Sequence, residues 1–319
     1  MGQTVVVVGG GLMGHGIAEV FAASGHRVTV CDRDTGVRAS VLERIADAAA
    51  LRGDDPSLVL GRVRVTGALS SAVEDACMAV EAVAENLAVK RAVFGELGRL
   101  TGPATILATN TSALPVREVG SAAAHPERVI GTHFWNPPHL VPLVEVVQSE
   151  LTSDNTVLRT MEILRAAGKS PVHVRRDIPG FIGNRLQHAL KREAIALVAQ
   201  GVCDAETIDR VVKEGFGPRM SVLGPMEQSD LVGLDLTLAI HETLMPSLNR
   251  GAEPDALLVR LVRQGKTGIS AGEGFRRWTP DSAGEVRRRL SEFLARRVAA
   301  DYEPPEGASG LAGDTPGEQ

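Results

Sequence analysis

The sequence predicts an α/β fold with a parallel sheet in its first part and an all-helical second part. Up to about residue 177, short apolar runs rich in β-branched residues alternate with helical patterns. This alternation is typical of a parallel sheet covered by helices on both faces and joined by right-handed crossovers. Beyond that point only long helical patterns follow. The 319 residues suffice for two domains, at roughly 150 residues each.

The first predicted unit is a strand, a tight turn and a helix. Four valines at 5–8 form a β-branched run, three glycines follow at once, and a helical pattern then covers 13–23 and stops at Gly25. A second strand is predicted at 27–31. Further strands are predicted at 63–65, 78–83, 105–108, 129–134 and 143–147, with the clearest helix between them at 87–100.

A domain boundary is predicted near Ile178 and Pro179, where the helical patterns take over. The first domain then covers 1–178 and the second, all-α domain covers 179–300. Helices of the second domain are predicted at 184–200, 205–214, 231–248, 255–263 and 282–300. Residues 301–319 are rich in Pro, Gly and Glu, and we expect a disordered tail there.

Charge, cysteine content and hydropathy exclude several classes of protein. The net charge is −5 with no basic block, so nucleic acid is not an expected partner. Cys31, Cys77 and Cys203 lie far apart and the histidines lack ligand spacing, which predicts neither a disulfide framework nor a metal site. No apolar run approaches the roughly 18 residues that span a bilayer. We expect a cytoplasmic protein that does not bind membranes.

The glycine-rich turn carries a dinucleotide-binding pattern. Residues 9–14 match GxGxxG between a predicted strand and a predicted helix, where glycine permits the turn, close approach of a pyrophosphate and helix packing. Asp32 ends the second strand 18 residues after Gly14, where a carboxylate binds a ribose 2′-hydroxyl. Asp32 would repel a 2′-phosphate and favours NAD, whereas the adjacent Arg33 leaves NADP open. The predicted cofactor residues of this motif are Gly9, Gly11, Leu12, Met13, Gly14 and Asp32.

A histidine and a glutamate form a second constellation. His133 precedes Pro137 and Pro138, which force an extended exit from the strand, so His133 should stand at its carboxyl end. Glu145 lies twelve residues further on, in the next apolar run. A histidine beside a carboxylate can accept a hydroxyl proton while hydride leaves the same carbon. The alternative is a structural histidine.

Several motifs together resemble the L-3-hydroxyacyl-CoA dehydrogenase family, which also includes dehydrogenases of free 3-hydroxy acids such as L-gulonate and carnitine. These motifs lie at 9–18, 80–87, 109–112, 133–145, 179–185 and 223–225. The resemblance covers roughly residues 3–278. It implies a Rossmann-like N-terminal domain, a helical C-terminal domain that forms a homodimer, and a role in fatty acid metabolism.

The resemblance also implies roles for individual residues. His133 would be the catalytic base, Glu145 its orienting carboxylate, and Ser112 a hydrogen-bond partner of the substrate oxygen. Asn184 would complete the site and Asn136 would assist in binding substrate. The residues assigned to the cofactor outside the glycine-rich turn are Glu85, Lys90 and Asn110. Ser112 and Asn184 could instead be helix caps, and Lys90 a solvated helix charge.

Departures from the family pattern bear on the substrate carrier. The segment between Asp32 and Val80 is short for an acyl-CoA enzyme and offers Arg52, Arg62 and Arg64, but no lysine, to a CoA phosphate. The motifs at 136–138 and 217–220 look more like the free-acid branch.

We expect reversible NAD-dependent oxidation of a 3-hydroxyacyl-CoA to the 3-oxoacyl-CoA. The alternative substrate is a free 3-hydroxy acid of the gulonate or carnitine type, held by one cation such as Arg185 or Arg219. A catalytically silent binding protein should lack His133 or Glu145, and both are present.

Overall fold

The computed structural model of the chain describes residues 2–301. They form two compact units, residues 2–182 with 290–301 and residues 183–289. The predicted domain limits of 1–178 and 179–300 stay predictions. The predicted tail at 301–319 lies outside the described residues except for Asp301, with which the last helix ends.

The first unit contains one eight-stranded sheet with the strand order β3-β2-β1-β4-β5-β6-β7-β8. Its strands are β1 Thr4–Val8, β2 Arg27–Cys31, β3 Val63–Thr66, β4 Ala76–Glu81, β5 Ile106–Thr109, β6 Val129–Phe134, β7 Leu143–Val147 and β8 Ser170–Val174. All neighbouring pairs are parallel except β6 with β7. The predicted fold class is confirmed.

Helices connect these strands and cover both faces of the sheet. They are α1 Gly14–Ala23, α2 Thr35–Arg52, α3 Pro56–Leu60, α4 Leu69–Ala72, α5 Leu87–Leu100, α6 Val116–Gly120 and α7 Asp154–Ala166, with a 3₁₀ turn at Pro126–Arg128. Alternate valines of β1 belong to two apolar clusters, Val5 and Val7 to one, Val6 and Val8 to the other. Because successive side chains of a strand point to opposite faces, each face has its own core.

Strand β7 runs antiparallel to β6, whereas the other neighbouring strands of the sheet are parallel. Only eight residues, 135–142, connect β6 to β7, whereas a parallel return needs a crossover of a dozen or more. The chain therefore turns back beside β6. This reversal brings His133 on β6 directly opposite Glu145 on β7 in the strand register.

The second unit is helical. Its helices are α8 Gly183–Ala199, α9 Ala205–Arg210, α10 Pro225–Val232, α11 Leu234–Leu244 and α12 Ala256–Arg263, and α13 Pro280–Asp301 begins in it. The helix predicted at 231–248 is interrupted at Gly233, whose φ of +97° is incompatible with a continuous helix. The helix predicted at 205–214 ends at Arg210 and continues as a π-helical turn, Val211–Phe216. Across residues 2–301, no helix combines the length and the apolar character needed to cross a membrane.

Candidate active site

The glycine-rich turn between β1 and α1 has the geometry that the sequence predicts. Gly9 has a φ of +100°, and a Cβ there would lie 2.7 Å from the Ala82 carbonyl oxygen. A Cβ on Gly14 would lie 1.8 Å from the Gly9 carbonyl oxygen. At Gly11, by contrast, a Cβ would meet no atom of the described chain within 4 Å. Two of the glycines therefore allow the backbone to close up, and the third leaves open the side from which a phosphate would approach.

Asp32 lies immediately after β2, beside this turn. Its Oδ2 accepts the Gly10 N–H at 2.8 Å and its Oδ1 accepts the Asp34 N–H at 2.9 Å. A cavity of about 860 Å³ follows the carboxyl ends of the strands here, with lining residues that include Gly9, Gly11, Asp32, Leu69, Ala82 and Val89. The Arg33 side chain is 84% exposed and lies 3.9 Å from the Glu96 carboxylate. The Asp32 carboxylate is thus fixed against the turn, as is the Arg44 guanidinium, which donates to the Gly10 carbonyl oxygen at 2.8 Å. Arg33 is not fixed there.

Leu12 and Met13 complete the turn. Leu12 is 67% exposed, and Met13 is partly buried against the first apolar cluster. Met13 occupies the N-cap position of α1 without a side-chain hydrogen bond to the helix within the described residues. An anion at this end of α1 would therefore not compete with a side-chain cap, although the His15 N–H already donates to the Gly11 carbonyl oxygen at 3.3 Å. The residues of the turn fit the diphosphate of a dinucleotide.

Lys90 is buried, so the interpretation as a solvated helix charge is wrong. Its side chain is 1% exposed, and its Nζ lies 2.8 Å from Glu81 Oε1 and 3.2 Å from Glu85 Oε2. Glu81 is fully buried at the end of β4 and also accepts the Val83 N–H and the Thr109 hydroxyl, each at 2.7 Å. Burial raises the pKa of Glu81, and the Lys90 ammonium opposes that rise.

Glu85 organises the loop after β5. Its Oε1 accepts the Thr111 hydroxyl at 2.5 Å and the N–H groups of Ser112 and Ala113 at 3.0 and 3.2 Å. Burial acts to raise the pKa of Glu85, but the Thr111 hydrogen bond and Lys90 outweigh it, so this pKa lies below its usual range. The structure thus brings Glu85, Lys90 and the Ser112 backbone together, and their functional roles stay predictions.

Asn110 joins this loop to the strand that carries His133. Its N–H donates to the Glu81 carbonyl oxygen and its Oδ1 accepts the Phe134 N–H, both at 2.8 Å. Phe134 follows His133 directly. The amide side chain of Asn110 therefore fixes the end of β6, a positioning contact that the sequence does not reveal.

His133 and Glu145 are hydrogen-bonded, with 2.8 Å between His133 Nδ1 and Glu145 Oε2. Both are buried, at 5% and 1% exposure. Glu145 Oε1 accepts the Ile182 N–H at 2.9 Å, which fixes the carboxylate from its other side. Two aromatic rings lie near the imidazole, with centroids 5.4 Å away at Trp135 and 5.6 Å away at Phe181. The ring is therefore held in one orientation at the carboxyl end of β6.

Two predicted residues remain, Asn136 and Asn184. Asn136 is exposed on the connection after β6. Asn184 is the second residue of α8, in the other unit, and its role stays a prediction. Among the described residues, no group of three or more His, Cys, Asp or Glu could hold a metal ion.

The three arginines expected to reach a CoA phosphate are engaged elsewhere. Arg52 pairs with Glu19 at 3.6 Å and Asp54 at 3.2 Å. Arg62 donates to the Ala22 carbonyl oxygen at 2.9 Å and immediately precedes β3, while Arg64 lies within β3 and donates to the Ser71 carbonyl oxygen at 3.1 Å. Because Val63 is level with the start of β2, Arg62 is at the amino end of the strands, opposite to the glycine-rich turn.

Comparison with known protein families identifies the family to which this chain belongs. Residues 4–178 match the 3-hydroxyacyl-CoA dehydrogenase NAD binding domain, and residues 180–278 match the 3-hydroxyacyl-CoA dehydrogenase C-terminal domain. The chain belongs to the 3-hydroxyacyl-CoA dehydrogenase family. It is an NAD-dependent oxidoreductase of the 3-hydroxyacyl-CoA dehydrogenase type, and its cofactor is NAD.

Relatives within this family bear different names. A probable 3-hydroxybutyryl-CoA dehydrogenase of Deinococcus radiodurans is 39% identical over 84% of this chain and 98% of its own length. A 5-formyl-3-hydroxy-2-methylpyridine 4-carboxylate 5-dehydrogenase of Mesorhizobium japonicum is 35% identical over 93% of this chain and 96% of its own.

The similar solved structures include the same two kinds of enzyme. A crystal structure of a 5-formyl-3-hydroxy-2-methylpyridine 4-carboxylic acid 5-dehydrogenase, described as an NAD⁺-dependent dismutase, has a TM-score of 0.88 at 32% identity and covers 95% of this chain and 100% of that one. The (S)-3-hydroxybutyryl-CoA dehydrogenase of Ralstonia eutropha has a TM-score of 0.73 at 27% identity and covers 88% of this chain and 100% of that one.

Proposed function

We propose that this dehydrogenase oxidises the 3-hydroxyl of a 3-hydroxyacyl-CoA to the 3-oxoacyl-CoA, reversibly, with His133 as the base. The observation that carries the proposal is the 2.8 Å contact between His133 Nδ1 and Glu145 Oε2 at the ligand-binding edge of the sheet. A carboxylate only accepts hydrogen bonds, so the Nδ1 proton points to Glu145. His133 Nε2 then has the lone pair that can accept the hydroxyl proton.

The chain's own residues account for the proton and for orientation. When bound, NAD supplies the acceptor for the hydride that leaves C3 of the substrate. His133 takes the hydroxyl proton at Nε2, and Glu145 stabilises the imidazolium that results. The rings of Trp135 and Phe181 keep the imidazole from turning. Release of the proton to solvent restores the neutral base.

Further residues are proposed to hold the reactants around this base. Ser112 donates to the substrate oxygen. The hydrogen bonds from the Thr111 hydroxyl and from the Ser112 and Ala113 N–H groups to Glu85 support that placement. Asn184 and Asn136 contact the substrate. The cofactor is held by Gly9, Gly11, Leu12, Met13, Gly14, Asp32, Glu85, Lys90 and Asn110, with its nicotinamide end beside Glu85 and Lys90, as the family resemblance implies.

A free hydroxy acid is the second candidate substrate, and two observations favour it. The arginines Arg62 and Arg64 lie away from the carboxyl edge and donate to backbone carbonyl groups. The solved pyridine-carboxylate dehydrogenase matches this chain with a TM-score of 0.88, against 0.73 for the (S)-3-hydroxybutyryl-CoA dehydrogenase. That relative is named for a free carboxylate substrate and not for a CoA thioester.

The second unit is proposed to form a homodimer. Its helices α10 and α11 expose large apolar side chains, among them Met226 at 71%, Leu231 at 71%, Leu234 at 62% and Leu238 at 60%. A surface of this kind favours burial against a second copy. Light scattering should give a mass twice that of the 33.7 kDa chain. The cytoplasmic location and the role in fatty acid metabolism stay predictions.

One assay tests the reaction and separates the two substrates. Protein and NAD are mixed with 3-hydroxybutyryl-CoA, with its pantetheine thioester or with free 3-hydroxybutyrate, and NADH absorbance is followed. Binding energy from the remote nucleotide contributes to the chemical step, so an acyl-CoA enzyme should lose kcat/KM steeply on truncation. Equal kcat/KM for both thioesters, or faster turnover of the free acid, would assign the chain to the free-acid branch.

A further inference from the structure

Glu81 is a fully buried carboxylate that the proposed proton transfer does not use. It is the last residue of β4, which pairs with β1 on one side and β5 on the other. From β1 the chain proceeds outward to β2 and β3, and from β4 it proceeds the other way to β5. The gap between β1 and β4 is therefore the switch point at which open α/β sheets bind their ligands.

The hydrogen bonds of Glu81 favour its ionised form. Oε1 accepts the Val83 N–H at 2.7 Å and the Lys90 ammonium at 2.8 Å, and Oε2 accepts the Thr109 hydroxyl at 2.7 Å. Three donors directed at one carboxylate stabilise the anion and offset part of the cost of burial, which raises the pKa of Glu81. Glu81 is thus a charge in the interior of the sheet.

Glu81, Lys90 and Glu85 form a group with a net charge of one negative unit. Lys90 Nζ touches both carboxylates, at 2.8 and 3.2 Å. Glu81 and Lys90 are 0% and 1% exposed, so solvent and salt screen these two charges poorly, whereas Glu85 is 43% exposed.

A net negative charge at this edge acts differently on the two redox states of the cofactor. The oxidised nicotinamide ring is positively charged, and the reduced ring is neutral. We propose that Glu81 is a specificity residue for the redox state: its carboxylate makes the site bind NAD⁺ more tightly, relative to NADH, than a neutral residue would. The inference rests on the proposed function in one respect, the placement of the nicotinamide end beside Glu85 and Lys90.

Glu81→Gln tests the charge alone, because a glutamine can form the same hydrogen bonds at this position. The amide oxygen can accept from Val83 and Lys90, and the amide nitrogen can donate to Thr109, whose hydroxyl rotates. The shape and all three contacts are retained, and only the charge is lost. NADH affinity is measured by fluorescence titration, and NAD⁺ affinity by displacement of NADH. We expect Kd(NAD⁺)/Kd(NADH) to rise about three- to tenfold, mainly through weaker NAD⁺ binding.

Thr109→Val is the matched control, because it removes one hydrogen bond to Glu81 and keeps every charge. Its Kd ratio should stay within about twofold of the parent. An unchanged ratio in Glu81→Gln, or an equal rise in both variants, would make Glu81 a structural brace and overturn the proposal. Should Glu81→Gln fail to fold, Glu85→Gln removes the same charge from a residue that is 43% exposed and should raise the ratio in the same direction.

The titration needs no substrate, so its outcome is independent of the substrate assay. A shifted ratio together with an inactive preparation would leave Glu81 supported and the proposed substrate wrong. An unshifted ratio in an active enzyme would do the reverse.

Discussion

Replacing Glu145 with Gln should do more than remove one charge. Glu145 Oε1 accepts the Ile182 N–H at 2.9 Å, and Oε2 faces His133 Nδ1 at 2.8 Å. The Ile182 N–H can only donate, so the single amide oxygen of Gln stays on Ile182. The amide NH₂ then points at Nδ1, which must become an acceptor. The ring proton moves to Nε2, where it blocks uptake of the substrate proton.

The size of the defect follows from the energy needed to turn the amide over. If the glutamine amide turns over, its oxygen accepts from His133 Nδ1 and the active tautomer is restored. The amide NH₂ then faces the Ile182 N–H, so the hydrogen bond to Ile182 is lost. A lost buried hydrogen bond costs about 1–3 kcal/mol. This corresponds to a rate loss of about 5- to 150-fold. The imidazolium formed in the reaction also loses its counterion. We therefore expect kcat to fall about 10²–10³-fold, within the range for a disabled general base.

Glu127→Gln is the matched control, because Glu127 lies 3.3 Å from His125 in a solvent-exposed pair at 55% and 57% exposure. Steady-state NADH formation is measured for both variants, with NADH affinity and thermal unfolding as checks. The control should retain parental kcat, and both proteins should bind NADH as the parent does. A Glu145→Gln enzyme with kcat within about threefold of the parent would refute the tautomer argument.

Three further predictions concern the cofactor, the carrier and pH. Asp32→Asn should lower the ratio of kcat/KM for NAD over NADP about tenfold, since the charge that repels a 2′-phosphate is gone; an unchanged ratio would assign the choice to Arg33. The double variant Arg62→Gln/Arg64→Gln should leave KM for an acyl-CoA unchanged, because both side chains donate to backbone carbonyl groups from the amino end and the middle of β3. A raised KM would contradict their placement. Burial raises the pKa of Glu19 from 4.5 to about 7, so the folded state holds this proton more tightly than the unfolded state. The parent should therefore lose up to about 3 kcal/mol of stability between pH 4.5 and 7 that Glu19→Gln does not lose, as measured by urea unfolding; parallel profiles would contradict this.

The parts of the fold that local chemistry dictates could be predicted from the sequence. The valine run, the three glycines and the helical pattern define β1, the turn and α1, because glycine is required where Gly9 has a positive φ. Pro137 and Pro138 end β6 and place His133 at the carboxyl end of this strand. The pairing with Glu145 was expected as a chemical partnership, and the antiparallel register that enforces it became visible only in the fold.

Other features depend on contacts distant in sequence. In the sequence, Glu81 has the pattern of an ordinary strand residue. Its alternation with apolar neighbours does not indicate the contacts with Lys90 and Thr109. Lys90 has the helical spacing of a surface charge, and only the buried carboxylate of Glu81 explains its burial. Strand β8 contains polar residues and Pro171, a pattern that is permitted at the edge of a sheet and gives a weak strand signal.

The most direct test of the account is hydride transfer by His133→Asn, measured beside NADH affinity in the same preparation. Asparagine keeps a donor for the buried Glu145 and has no base, so kcat should fall about 10²–10⁴-fold while NADH affinity and thermal stability remain near the parent's. His26→Asn, at a buried histidine between α1 and β2, should retain parental turnover. Near-parental turnover by a folded His133→Asn protein would contradict the assignment of His133 as the proton acceptor.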